Sequence, residues 1–567
     1  MKSPGSTGNA RSDTDAAVTG RAPERAPKKV TPVTRMVQLA RLARARGHLW
    51  TAFYNLYAAA VVENDAEAGR QLAEVLMSLH AAQPMAEVAE AFTRALCTPW
   101  VRPAALTRSI VDYLMLEPCV EQIAEAINPS TDDLDAAVEH LSQNRLFAAL
   151  LQTSVASDLR LERLLIFLRD HLLAVAPATP GAMRLAALIA TQANLVEYLW
   201  PYTVGPVDEP VSDGTQPPIT SARALLNSMF RPPGAAEIAA IESIAADPSI
   251  SCLLERVRDE PLAHTRQRDE VERAAVSLGT SALDHRDGPR ACQRWVKEPG
   301  IARALPLAIQ RRLKTRQRGS GEILVVGCGT GQDLPAVSAT HPYAHITALD
   351  PSVEKLAYAA HKCAQAGLQR IGFLPGTLLD VPALGWTFDV IECFGMPEHA
   401  PDPDFGCEAF ARCTRPGSLL RVAVHSDATH RLASVLRRAR EIRGISSRLA
   451  DLRGFRAELL DGHHGALPPA LLRSPAFYTA SGLRDLLFGD LQVGVGTPTW
   501  LAMLDRHGFN FLCEEINGEL VRHARDAGLR GASTWSIRDY KRFDRADSLA
   551  FGSTQFLWFE RRAQKRG

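Results

Sequence analysis

The sequence predicts an α/β domain built on a mostly parallel sheet of roughly seven strands, preceded by an all-α helical domain and a polar N-terminal tail. Three observations carry this. Beyond residue 320, short apolar runs of strand length alternate with helical stretches, the pattern of a parallel sheet covered on both faces. The first of these runs, Ile323 to Val326, ends at three glycines on alternate positions, Gly327, Gly329 and Gly331. Glycine there lets the chain turn tightly into a helix and lets a ligand approach the backbone. Residues 34 to 202, by contrast, carry apolar side chains at helical spacing, with breaks at Asn64, Pro84, Pro103 and Pro129.

Taken in order, residues 1–33 are rich in Ser, Gly, Ala, Pro and charged residues and have almost no large apolar side chain, so the reading is a disordered tail. In 34–202 the clearest helix is Asp158 to Ala174, with Leu161, Leu164, Leu165, Leu168 and Leu172 on one face and Ser157 and Asp158 as start signals. Paired antiparallel helices follow from the breaks; a period of 34 residues, the tetratricopeptide length, does not recur in phase. A layer of this kind is either a packed cap or a surface for a protein partner. Residues 203–290 read as a linker dense in Pro, Gly and acids, followed by a helical pre-catalytic segment broken at Pro232-Pro233-Gly234. Residues 291–567 form the α/β domain, with an insertion or lid at about 427–500. Its strand candidates are Ile323–Val326, His345–Leu349, Ile371–Leu374, Phe388–Cys393 and Leu419–His425, with Phe509–Ile516 and Gln555–Phe559 as a late antiparallel hairpin.

Composition excludes some classes. The 567 residues, 46% hydrophobic, suffice for two or more cores. A formal net charge of +1 gives no electrostatic case for nucleic acid or an anionic membrane as partner. The 10 cysteines include no Cys-x-x-Cys pair, and no histidine pair follows Cys407 and Cys413, so no metal is expected. No run reaches the length of a membrane span, and the expected location is the cytoplasm.

Two ligands compete for the glycine turn. A dinucleotide loop has Gly-x-Gly-x-x-Gly, whereas here position 332 is Gln and the third glycine comes one residue early. Further along come Asp350 at the end of the second strand, Leu374-Pro-Gly-Thr-Leu-Leu-Asp380, Phe388-Asp-Val-Ile-Glu-Cys393 and Arg415-Pro-Gly-Ser-Leu-Leu420. In that order, with the Gly-x-Gly-x-Gly turn, these segments resemble the Rossmann-like class I methyltransferases, which use S-adenosylmethionine. The resemblance covers roughly Arg294 to Glu560. Trp295-Val-Lys297, Ile391-Glu-Cys-Phe-Gly395, His399-Ala-Pro-Asp-Pro403, Phe477-Tyr-Thr-Ala-Ser481 and Arg484-Asp-Leu-Leu-Phe488 are similar to a bacterial group of uncharacterised methyltransferases with helical N-terminal regions.

The resemblance implies a cofactor site of Gly327, Cys328, Gly329, Gly331 and Gln332 in the turn, Asp350 and Pro351 at the ribose, Gly376, Thr377 and Leu378 beside adenine, and Glu392 near the methionine amino group. His399 and Glu392 are the catalytic candidates, His399 as general base. Two positions depart from the family: Val325 replaces an acid, and Thr377 often is Asp. Transfer of a methyl group to an unidentified small-molecule or protein acceptor is the expectation. The alternative is a methyltransferase-like binding or scaffold protein. A nicotinamide-dependent oxidoreductase fits the glycine spacing less well.

Overall fold

Thr31 opens the helical region. Its hydroxyl accepts from the Thr34 N–H at 3.2 Å and Pro32 takes the first helical position, so the first helix is Pro32–Ala45. The structure, a computed structural model, describes residues 31–202 other than 99 and 127, 219–278, 294–316 other than 304, 321–394, 403–515 with short gaps at 425–426, 463–466, 468, 473 and 490–496, and 555–563. The tail expected over 1–33 therefore lies outside the described residues up to position 30, as does the linker at 203–218.

Gly47 at φ +79° ends the first helix and Leu49–Tyr57 follows. Asp158 caps Leu159–Val175 by accepting from the Arg160 N–H at 2.9 Å, and all five leucines of its apolar face are buried. The helices Ser221–Ser228, Ala235–Glu242 and Pro248–Leu254 beyond residue 218 share one hydrophobic core with those before 202, a core running from Val37 to Leu254. Helix lengths in this region vary, from 7 residues in Pro248–Leu254 to 19 in Glu260–Leu278.

The sheet has seven strands: β1 (Glu322–Val326), β2 (His345–Asp350), β3 (Ile371–Pro375), β4 (Phe388–Cys393), β5 (Thr414–Val424), β6 (Phe509–Glu515) and β7 (Gln555–Arg561). Their order is β3-β2-β1-β4-β5-β7-β6, with β1 to β5 parallel and β7 antiparallel to both β5 and β6. Side chains alternate between two cores. Leu324, Val326, Ile391 and Leu420 face one together with Trp500 and Leu504, and Ile323, Val325, Val390 and Leu419 face the other with Ile309, Leu334 and Val337. β2 and β4 flank β1, so the chain departs from β1 to both sides. Such a switch point opens a crevice at the C-terminal strand ends, where the glycine turn sits.

One strand begins earlier than the apolar run indicates. β5 starts at Thr414, which pairs with Phe388, and Leu419 pairs with Val390. The Arg415-Pro-Gly segment, with Gly417 at φ +87°, is thus a bulge within the strand pairing.

After β5, Asp427–Arg443, Leu449–Leu460 and Ala480–Phe488 pack into a core that includes Leu199 of the helical region. Arg456, buried, donates from Nη1 and Nη2 to the two oxygens of buried Glu162 at 2.6 and 2.7 Å, and from Nε to the Phe477 carbonyl at 2.8 Å. Glu197, at φ +57°, accepts from the Ser481 N–H and hydroxyl, each at 2.6 Å. Leu483 and Leu487, in the stretch read as an insertion or lid, are fully buried in this shared core. Among the described residues no helix is long and apolar enough to cross a membrane.

Candidate functional site

The glycine turn is pinned at its start by two backbone bonds. The Gly327 and Cys328 N–H groups donate to the Leu349 carbonyl at 2.8 and 3.1 Å. All three glycines have positive φ, +66°, +55° and +78°, which an L side chain rarely adopts. They do different work. A Cβ on Gly331 would sit 2.7 Å from the Ala359 Cβ, so this glycine lets the turn press on helix Val353–Gln365. A Cβ on Gly329 would meet nothing within 4 Å, so its face opens on space a ligand can take.

Asp350, at the end of β2, is buried and turns its carboxylate back onto the loop. Oδ2 accepts from the Gly329 N–H and Oδ1 from the Ser352 N–H, both at 2.9 Å. Pro351 follows half-buried, and Ser352 caps the next helix by accepting from the Lys355 N–H at 3.3 Å. After β3, the Gly376 N–H donates to the Asp350 carbonyl at 3.1 Å, which brings the third-strand loop against the acid. The Thr377 N–H and hydroxyl both donate to Asp380 Oδ2, at 2.7 and 2.9 Å. The hydroxyl proton is thereby committed, and the Thr377 oxygen faces any further group as an acceptor. Leu378 beside it is buried apolar surface. The cofactor positions named from the sequence in the turn, at Asp350 and at residues 376–378 are thus brought together through Asp350.

Two named residues have other partners. Cys328 packs among apolar side chains, and burial pushes its thiol well above the ordinary value, which leaves it a poor nucleophile. Gln332 directs its side-chain amide to Glu298 Oε1 at 2.6 Å.

Glu392 is held by charges of the protein itself. Named from the resemblance as a catalytic candidate near the methionine amino group, it is buried between two guanidinium groups, those of Arg303 and of Arg421, the latter at 3.2 Å, with His341 Nε2 3.8 Å away. Burial alone would raise its pKa; Arg303, His341 and Arg421 outweigh it and hold the carboxyl well below the usual range. A carboxylate kept ionised by two buried cations does not take up a proton near neutrality, so a base role does not fit it. Its register adds a point: Val325, where the family carries an acid, is the Cα partner of Glu392 in the neighbouring strand. His399 lies outside the described residues, as does Glu398.

Sequence reasoning passed over the groups around Glu392. Arg421 sits mid-strand in Leu419-Leu-Arg-Val-Ala-Val424, and a charge inside an apolar run signals a buried partner. It has two: Glu392, and Glu515, which it meets with Nε and Nη2 at 2.9 and 3.0 Å. Trp295 was visible only as part of a motif. Its indole N–H donates to the Thr330 carbonyl at 2.8 Å and its own carbonyl accepts from Tyr358 at 2.9 Å, which clamps the turn from outside. Among the described residues one trio of possible metal ligands converges, Glu117, Cys119 and His140 in the helical region, with donor atoms within 4.8 Å. There Glu117 is paired with His140.

Residues 323–417 match the profile of a family described as a methyltransferase domain. The matched stretch runs from β1 to the start of β5, and over it the α/β region has a methyltransferase-domain fold. Residues of this chain are 38% identical over 141 positions to an uncharacterized protein of Synechococcus sp., covering 25% of this chain and 32% of that protein. Over 97 positions they are 34% identical to a ubiquinone biosynthesis O-methyltransferase of Klebsiella pneumoniae, covering 17% of this chain and 39% of that enzyme. The chain thus spans well under half the length of these curated relatives. Among solved structures, the chain is similar to PKMT2 of Rickettsia typhi in complex with AdoHcy, at 14% identity, TM-score 0.29, over 44% of this chain and 50% of that one. It is also similar to the magnesium protoporphyrin IX methyltransferase of Synechocystis with bound SAM, at 10% identity, TM-score 0.24, over 45% and 76%.

Proposed function

We propose that the methyltransferase domain binds S-adenosylmethionine at the glycine turn and transfers its methyl group to an unidentified acceptor. The observation that carries this is the pairing of buried Asp350 with the Gly329 N–H beside the open face of Gly329. It leaves a concave backbone next to an acid, which suits a ligand with ribose hydroxyls and a cationic centre and no phosphate. Thr377 supplies an acceptor oxygen and Leu378 an apolar wall for an adenine ring. When bound, the cofactor supplies an electrophilic methyl group on a sulfonium. The protein's part is to align the acceptor and exclude water. His399 remains the candidate base, since Glu392 is committed to its arginines. A cytoplasmic location belongs to the same reading.

Calorimetry with S-adenosylmethionine and S-adenosylhomocysteine tests it. Binding is expected for both, and Asp350→Ala or Gly329→Arg is expected to remove the heat. If neither ligand binds the unaltered protein, the reading fails. Given binding, His399→Ala should leave affinity within about twofold and lower turnover by roughly 10²–10⁴-fold.

One observation favours a second reading, a methyl-donor-binding scaffold without turnover: Glu392, one of the two catalytic candidates, is locked in ion pairs. Affinity for the donor with no S-adenosylhomocysteine formed in the presence of cell extract supports that reading over the first.

A further inference from the structure

The helical region reaches the exit of the glycine turn through one side chain. Arg102 lies between helix Ala86–Cys97 and the 3₁₀ turn Pro103–Ala105. Its Nη2 is 2.8 Å from Asp333 Oδ1 and its Nε is 2.9 Å from Glu298 Oε2. Asp333 stands at the N-cap of helix Leu334–Thr340 yet makes no side-chain capping bond; its carboxylate is given to Arg102 and to Arg303, the latter at 3.3 Å. The other oxygen of Glu298 holds the Gln332 amide. Residues 332 and 333, where the turn enters its helix, are therefore both tied to Arg102, one through Glu298 and one directly. Nearby, Lys297 Nζ donates to the Cys97 carbonyl at 2.7 Å, a second bond along the same strip. From Asp333 the ion pairs continue through Arg303 to Glu392, the acid beside Val325.

We infer that Arg102 is a positioning residue for the methyl-donor loop, so that the helical region is a part of the cofactor site and not an appended module. This rests on the reading of the glycine turn given above. A planar guanidinium can meet two acids at a fixed angle, which an ammonium on a flexible stem does poorly. Without it, Glu298, whose side chain is 4% exposed, would face Asp333 with only an amide for company. Asp333 would keep Arg303, but the two acids would lose the cation they share, which favours a proton on Glu298 or a wider separation. Either response shifts residues 332–333, and with them the amide of Gly329 that Asp350 holds.

The test uses the full chain and three variants, Arg102→Ala, Arg102→Lys and Arg453→Ala. The last removes a different contact between the two regions, the bond from Arg453 to the Tyr198 carbonyl. Amide hydrogen exchange over residues 327–333 is measured without ligand, and S-adenosylhomocysteine affinity by calorimetry. Arg102→Ala is expected to speed exchange there about tenfold and to weaken affinity at least tenfold, Arg102→Lys to fall between it and the unaltered protein, and Arg453→Ala to move neither. The inference is overturned if Arg102→Ala exchanges and binds like the unaltered protein, or if Arg453→Ala matches it on both measures. Should the unaltered protein bind no S-adenosylhomocysteine, the functional reading fails on its own, and the exchange data still decide whether Arg102 holds the turn.

Discussion

Glu298 is a glutamate whose surroundings oppose its charge. Burial, with Asp333 adding to it, pushes the carboxyl up to about 7, against the pull of Arg102 and Gln332. Between the ordinary value of 4.5 and about 7 the folded protein holds a proton that the unfolded chain has released. Glu298 therefore contributes stability at low pH that is lost as pH rises through about 7. Glu298→Gln should flatten this dependence: its urea midpoint relative to the unaltered protein is expected to be higher at pH 8 than at pH 5. The glycines make a second contrast. Gly331→Ala meets Ala359 as well as an unfavourable φ, and is expected to cost about 2–4 kcal/mol in urea denaturation. Gly329→Ala bears only the φ, about 1–2 kcal/mol, and its main effect should be lost ligand affinity. At this scale the sequence was informative where spacing sets backbone shape, as at Gly327, Gly329, Gly331 and Asp350. It was silent on side-chain pairing: nothing local tells that Glu392 will meet Arg303, because that pair spans 89 residues.

The strands were legible because each is a short apolar run between turn signals, and all seven strand candidates overlap β1–β7. What misled was β5, where Pro416 and Gly417 end the apolar run while Thr414 still pairs with Phe388 across the bulge. Helix Ala480–Phe488 shows the other limit. Its pattern identifies an amphipathic helix but not what covers its apolar face, and the cover comes from a core that includes Leu199. The contact between Leu159–Val175 and Leu449–Leu460 is more exacting still, since Glu162 and Arg456 are both buried and each is the other's charge partner. Glu162→Ala should cost about 3–5 kcal/mol by leaving the guanidinium uncompensated, and adding Arg456→Met should recover a good part of it, as read from chemical denaturation.

For the molecule as a whole, the two regions are joined by buried polar bonds at Glu162 and Glu197, a part-buried one at Tyr198 and the ion pairs of Arg102. The chain from residue 294 onward, produced alone, would expose the apolar surface that packs on Leu199 and leave Arg456 without its acid. It is expected to elute as aggregate in size-exclusion chromatography, whereas the full chain should elute as a discrete species. None of this was visible in the sequence, whose patterning divides the chain into a tail, a helical domain, a linker with a pre-catalytic segment and an α/β domain, with no sign of the bonds between them. Those bonds also set an order of events on the ribosome. Arg456 follows Glu162 by 294 residues, and at roughly 5–20 residues per second the acid waits about 15–60 s for its partner. Through that interval the helical region is a nascent fold with a carboxylate and an apolar face still in water, a natural client for a chaperone until the last third of the chain arrives.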